Sequence, residues 1–322
     1  MNFFSVGLAL LAACCNGASN VLERKANLQM RTRQALSIRL MWRLLHNGLW
    51  LLGLVTVITS FVLQAAALSA GTLAAVQPII VLELPITLIV GSRVLCARLR
   101  PREWVAIAAL TGGLVALLVG LDPRSGTSAA AAPAITWLVG VPATGGLVAG
   151  LVLLGRCHDG SARAALFGAA AGIQFGMTAA LMKGMTQTLR HGIGGPLTAW
   201  QTYAMMVSGI AGMVLMQNAL QAGPLVAAQP GITLLDPMTA IVWGILGFHE
   251  QVNSGWWLAV AGAGIVAMSL GAVLLSHAPA MQAHTGSGDI PGEGPRPRPP
   301  ADSRADEAAD SADPTSCRAT TA

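Results

Sequence analysis

Nine apolar runs, each near the length needed to cross the hydrocarbon of a bilayer, dominate this chain. They fall at roughly residues 2–21, 44–68, 71–92, 103–121, 133–154, 164–189, 198–221, 223–247 and 254–276. Backbone polar groups in hydrocarbon must be satisfied inside the protein, so apolar runs of this length fold as helices. The expected fold is therefore an all-α polytopic membrane protein with about nine transmembrane helices. Composition agrees: 54% apolar and 10% charged residues leave too little polar material to cover a water-soluble globule.

Two of the runs are copies of each other. LQAAALSAGTLAAVQPIIVLELPITLIVG, residues 63–91, returns as LMQNALQAGPLVAAQPGITLLDPMTAIVWG, residues 215–244. A shift of 152 residues aligns Gly71 with Gly223, Gln77-Pro78 with Gln229-Pro230, Pro85 with Pro237, Trp104 with Trp256 and Gly112 with Gly264, without a gap. Over residues 67–118 there are 18 identities in 52 positions, and those at Gln, Pro and Trp carry the weight. Four spans precede the fifth and four follow it, so an odd connecting helix makes the second four run opposite to the first: an inverted 4 + 1 + 4 repeat. The expected divisions are a first transmembrane repeat over 1–122, a connecting helix and loop over 123–160, a second repeat over 161–277, and a tail over 278–322. That tail, rich in Pro, Gly, Ser, Asp and Ala, cannot bury a core and is expected to be disordered and cytoplasmic.

The placement of charge gives an orientation. With the N-terminus outside, the cytoplasmic loops and tail hold Arg24, Lys25, Arg31, Arg33, Arg39, Arg43, Arg93, Arg98, Arg100, Arg102, Arg156, Arg163, Arg296, Arg298, Arg304 and Arg318. Only Arg124, Lys183 and Arg190 fall on the other side. The positive-inside rule thus places the N-terminus outside and the tail in the cytoplasm, in a cell or inner membrane. The basic segment 27–43 reads as interfacial or loop. Leu11-Ala12-Ala13-Cys14 looks like a lipoprotein cleavage box, but its basic cluster follows the apolar run instead of preceding it. Five cysteines, an odd number, do not suggest a disulfide framework.

The polar residues inside the spans are the candidates for function. Glu83 and Asp236 are the acids placed near mid-membrane, where a charge costs about 2.5 to 3.5 kcal/mol on insertion scales. Each must face the bundle interior, pair, or carry a proton. Asp236 shares a stripe with Gln229 and Thr233 at i, i+4, i+7 spacing; Glu83 has Thr87 one turn on, while Gln77 lies off its face. The shift of 152 sets Asp236 against Leu84, so the two acids are neighbours in register and not equivalents. Asn16, Ser19, Asn20 and Glu23 share a face of the first span, which reads as interhelical hydrogen bonding or substrate contact. Pro78, Pro85, Pro230 and Pro237 interrupt backbone hydrogen bonding, as in the discontinuous helices at which transporters bind their substrates, or else mark plain kinks. Gly168, Gly172 and Gly176 make a small-residue ridge for close helix packing.

Other chemistry finds little footing. The six histidines are scattered without a metal-like pair, no phosphate loop is present, and no acid/His pair has useful spacing. The expectation is not an enzyme, with no cofactor, no nucleic-acid partner and an unknown metal requirement. It is a secondary transporter moving a small solute or ion by alternating access, coupled to protons or cations through Asp236 and Glu83, in contact with lipid, with homo-oligomer formation left open. Its cavity would be lined by the first, third, sixth and eighth spans. The alternative from another class is a non-transporting scaffold or lipid-interacting protein with structural acids.

The hairpin LQAAALSAGTLAAVQP, the acid- and Pro-bearing helix after it, the turn ending in Arg102-Glu103-Trp104, and the helix ALTGGLVALL resemble the end of an EamA-type repeat of the drug/metabolite transporter superfamily. The second half repeats the pattern through His249-Glu250 and the helix from Trp256. The resemblance covers about residues 2–276 and implies an inverted-repeat transporter. EamA-type proteins usually have five helices in each half; nine spans and a long polar first loop look more like the NIPA-like magnesium transporter branch. That branch would imply a divalent cation, held near-octahedrally by oxygens from Glu83, Asp236 and glutamine carbonyls if these converge.

Overall fold

A computed structural model describes residues 3–29, 48–94, 100–124, 132–192 and 194–276. The expected tail at 278–322 and most of the basic segment 27–43 lie outside these residues. The described chain is mostly helical: α1 (Phe3–Gln29), α2 (Gly48–Ala70), α3 (Leu73–Ile80), α4 (Glu83–Val94), α5 (Pro101–Leu121), α6 (Ala134–Arg156), α7 (Gly160–Gln187), α8 (Trp200–Ala222), α9 (Leu225–Val242) and α10 (Trp257–Ser276). Among the described residues nine spans are long and apolar enough to cross a membrane, with α3 and α4 together making the third. The protein is thus an all-α polytopic membrane protein. Most expected boundaries lie within a few residues of the observed ones; the first span is Phe3–Leu22, close to the expected 2–21, and its helix continues beyond the span to Gln29.

The prolines act differently in the two related segments. Pro78 and Pro85 flank a break: α3 ends at Ile80, and the chain passes into α4 through tighter bonds, Val81 N–H to Pro78 O at 3.2 Å and Leu82 N–H to Ile79 O at 3.0 Å. In the second segment Pro230 and Pro237 lie within one continuous helix, α9, which widens into a π-helical turn over Trp243–Gly247. Each proline removes one backbone donor. α9 nonetheless stays helical across both of its prolines, packed against α7.

That α7–α9 contact is close because of glycine. A Cβ at Gly168 would stand 2.5 Å from Ala228 O, at Gly172 2.6 Å from Gly231 O, and at Gly176 2.6 Å from Asp236 O. The three glycines form one ridge at i, i+4, i+8 and let the two backbones touch. A second pair, α5 and α10, meets in the same way. A Cβ at Gly113 would stand 2.6 Å from Met268 N, and one at Gly264 2.5 Å from Leu117 N.

α1 and α2 form one hairpin and α7 and α8 another; α1 also packs on α3 and α4, as α7 packs on α9. Buried Leu68, Leu73, Ile79, Leu181 and Trp243 fill the centre, and Leu110, Leu117, Met268 and Leu275 fill the α5–α10 seam. The outward faces are apolar: Leu52, Val62, Val105, Val207 and Leu270 are all more than half exposed, as helices facing lipid require. α6 is the most exposed span. Trp137, its one large buried side chain, meets Trp200 (5.4 Å, edge-on), Trp243 (5.2 Å) and Phe248 (6.0 Å, edge-on) between ring centroids.

Candidate functional site

A cavity of about 470 Å³ lies within the bundle. It is lined from α1 by Asn16, from α2 by Phe61 and Gln64, from α3 and α4 by Gln77, Ile80 and Glu83, from α7 by residues including Phe175, Thr178 and Met182, from α8 by Met216 and Leu220, and from α9 by Gln229, Ile232 and Asp236. Five of the seven candidate binding residues therefore share one wall: Asn16, Gln77, Glu83, Gln229 and Asp236. The second and seventh spans contribute as well as the first, third, sixth and eighth.

The other two candidates lie elsewhere. Thr233 is buried and accepts a hydrogen bond from Gln229 Nε2 at 3.3 Å, orienting a wall residue without lining the cavity itself. Asn20 is exposed and off the wall. The shared face of the first span divides accordingly. Asn16 reaches the cavity, Ser19 is fully buried and donates to the carbonyl of Asn16 at 2.7 Å, and the Glu23 side chain lies outside the described residues.

Each carboxylate is held by an amide. Asn16 Nδ2 donates to Glu83 Oε2. Asp236 Oδ1 accepts from Gln77 Nε2 at 3.1 Å, and Gln77 Oε1 in turn accepts from Gln64 Nε2 at 2.9 Å. Gln77 thus lies off the face of Glu83, as helical spacing requires, and serves the acid of the other sequence copy, 159 residues away. A chain of amides runs from α2 through α3 to α9 and holds Asp236. On the facing side Gln174 Nε2 donates to Ser208 Oγ at 2.9 Å, and Thr178 Oγ1 lies 2.9 Å from the same hydroxyl, so the α7–α8 contact is polar at this level.

A second polar cluster, absent from the sequence-derived candidates, lies at one end of the bundle. Lys183 Nζ of α7 is 2.6 Å from Glu250 Oε1, both side chains being buried, and also donates to the carbonyl of Gly71 at 2.9 Å. The same carboxylate accepts the backbone N–H groups of Leu73 (2.6 Å) and Ala74 (3.0 Å), the first two residues of α3. Thr72, the residue preceding α3, makes no side-chain capping bond, so Glu250 caps the helix from 177 residues away. Its own position is fixed by the backbone. Glu250 N–H bonds Gly244 O at 2.9 Å, and Arg124 and Gln251 exchange two backbone bonds at 2.8 and 2.9 Å. The buried polar residues of this cluster are satisfied, as buried charges must be. A sequence signal existed in Lys183, a lone cation inside an apolar run, but its partner lies 67 residues on, beyond a helix end.

Two carboxylates, four amides and a hydroxyl on a largely apolar wall can bind and release a proton or a cation. Among the described residues no three His, Cys, Asp or Glu side chains group as a metal cage. Among the described residues two carboxylates line the cavity, so a hydrated divalent ion would depend on amide oxygens and water for the rest of its coordination.

An uncharacterized protein of Corynebacterium glutamicum is 28% identical to this chain over 291 residues, covering 88% of this chain and 98% of that protein. No family model matches the chain. No solved structure matches it.

Proposed function

We propose that this protein is a secondary transporter that carries a small solute by alternating access and exchanges it against protons at Asp236 and Glu83. The observation that carries this reading is the cavity wall. It takes one carboxylate from each sequence copy, and Gln77 of the first copy hydrogen-bonds the acid of the second. A site assembled across two related halves is rebuilt whenever the halves rock, so its carboxylates alternate between two environments.

The packing supports an inverted repeat with α1, α2, α3–α4 and α5 matched to α7, α8, α9 and α10. In each half the first span forms a hairpin with the second and packs on the third, and the two fourth spans pack on each other. α6 then serves as the odd connector that reverses the second half. With the N-terminus outside, the Lys183–Glu250 cluster lies on the outer side and ties α2, α3, α7 and the chain after α9 together there. It would have to open for substrate to leave or enter by that side.

The magnesium reading implied by resemblance has less support, because two carboxylates on a mostly apolar wall supply few of the oxygens that this ion requires. The test is solute-driven proton movement in liposomes containing the purified protein and a pH-sensitive dye, screened over amines, amino acids, sugars, organic acids and magnesium. Proton flux with at least one solute is expected, with loss of that coupling in Asp236→Asn. Full coupling in this variant would remove Asp236 from the mechanism. Silence across the whole panel from folded protein would favour a scaffold.

A further inference from the structure

We infer that the substrate is an organic cation, a protonated amine carried on an apolar body. This deepens the transport reading above and rests on it. Among the described residues the ionisable side chains on the cavity wall are Glu83 and Asp236, both acids. Among the described residues the buried cation is Lys183, which is already engaged by Glu250 and the Gly71 carbonyl and does not line the cavity. An anionic substrate would meet two carboxylates with no counter-charge.

The carboxylates also keep acceptor capacity. Asn16 bonds Oε2 of Glu83 and Gln77 bonds Oδ1 of Asp236. Among the described residues Glu83 Oε1 and Asp236 Oδ2 have no hydrogen-bond donor. An ammonium group brings up to three donors and a positive charge, so it fills this acceptor capacity and neutralises what burial makes expensive. A neutral hydroxyl would fill the hydrogen bonds but leave the charge.

The rest of the wall sets the body of the ligand. Phe61, Ile80, Phe175, Leu220 and Ile232 present hydrocarbon and two aromatic faces, and Met182 and Met216 add compliant thioethers. A volume of about 470 Å³ is within the range of small-molecule sites and far above the roughly 30 Å³ share of one water, so a bare inorganic ion would leave most of it unfilled. A cationic head with an apolar body satisfies both parts of the wall together.

The experiment is binding to the purified full-length protein in detergent by isothermal calorimetry, with four probes: 4-phenylbutylamine, 4-phenylbutanol, 4-phenylbutyrate and magnesium chloride. The first three share one apolar body and differ in the charge of the head. Binding of the amine alone is expected. It should weaken about tenfold or more in Glu83→Gln and in Asp236→Asn, since each loses a charge-assisted hydrogen bond. Thr59→Ala, at an exposed position of α2, should bind as the unaltered protein does. Size-exclusion profiles and thermal melting establish that each variant is folded. Absence of amine binding, equal binding of the alcohol or the acid, binding of magnesium alone, or full amine binding in the folded Glu83→Gln/Asp236→Asn double variant would each overturn the inference. The two proposals fail separately. Carboxylate-dependent amine binding without amine-driven proton flux in liposomes would sink the transport reading. Flux with another solute and no amine binding would sink only the substrate class.

Discussion

Lys183 Nζ lies 2.6 Å from Glu250 Oε1, and the carboxylate so paired also accepts the first two backbone N–H groups of α3. One buried ion pair therefore joins α7 and the chain after α9 to the helix that opens the polar third span. Removing one partner of a buried pair leaves a bare charge and costs about 3–5 kcal/mol, whereas removing both charges costs much less. Lys183→Met alone should lower the melting temperature of the detergent-solubilised protein strongly. Lys183→Met with Glu250→Gln should recover much of the loss, since the amide keeps an acceptor for α3. A thermal-unfolding double-mutant cycle checks this, and additive effects would show that the two side chains do not act as a pair.

Gly244 makes that pairing possible. A Cβ at this position would collide with Glu250 Oε2, the oxygen that caps Ala74. Gly244→Ala should therefore destabilise by about 1–3 kcal/mol, the usual cost of overpacking, and should do so only while Glu250 is present. In a Glu250→Ala background the same substitution should have little further effect on the melting temperature.

The spans were legible because about 20 consecutive apolar residues admit few structures in hydrocarbon. An interruption near Ile80 was legible through Pro78 and Pro85, as either a break or a kink. The continuity of α9 was not, because Pro230 and Pro237 align with that pair and the same spacing of prolines leaves one copy broken and the other continuous. Periodicity set Gln77 off the face of Glu83, yet could not find its bond to Asp236, which exists only once α3 packs on α9. Lys183 stood apart as a cation within an apolar run. Its partner was hidden because helical spacing describes one element at a time, and Glu250 lies in the irregular chain after α9, beyond the reach of any periodic pattern.

Gly176 connects packing to the site. Its Cβ position is 2.6 Å from the carbonyl of Asp236 and from Thr239 Cβ, so Gly176→Ala must push α9 away from α7 where the acid is carried. The expected cost is about 1–3 kcal/mol of stability, together with loss of solute-driven proton flux in liposomes. Gly145→Ala on α6, where a Cβ meets nothing within 4 Å, should change neither readout.

Trp137 anchors α6 to the rest of the bundle. Apart from Gly155 it is the buried residue of that helix, and its ring meets Trp200, Trp243 and Phe248. Trp137→Ala should cost about 3–5 kcal/mol, as large aromatic truncations in cores do, and should speed proteolysis in the connections on either side of α6. Unchanged melting and protease patterns would show that α6 is held by other contacts.

Gln77 separates positioning from chemistry. It donates to Asp236 and accepts from Gln64, so Gln77→Leu removes both bonds while leaving both acids in place. Each lost bond costs about 0.5–1.5 kcal/mol, so the variant should remain folded. Asp236 would then be free to change rotamer, and proton-coupled flux should fall while retaining its dependence on the pH gradient. Gln77→Glu keeps the reach but adds a third acid beside Asp236, and should impair flux more than the leucine does. Solute-driven flux measured against the imposed pH gradient distinguishes these outcomes from Asp236→Asn, in which the coupling itself should vanish. Flux equal to that of the unaltered protein in both Gln77 variants would show that the amide chain from Gln64 through Gln77 to Asp236 has no part in transport.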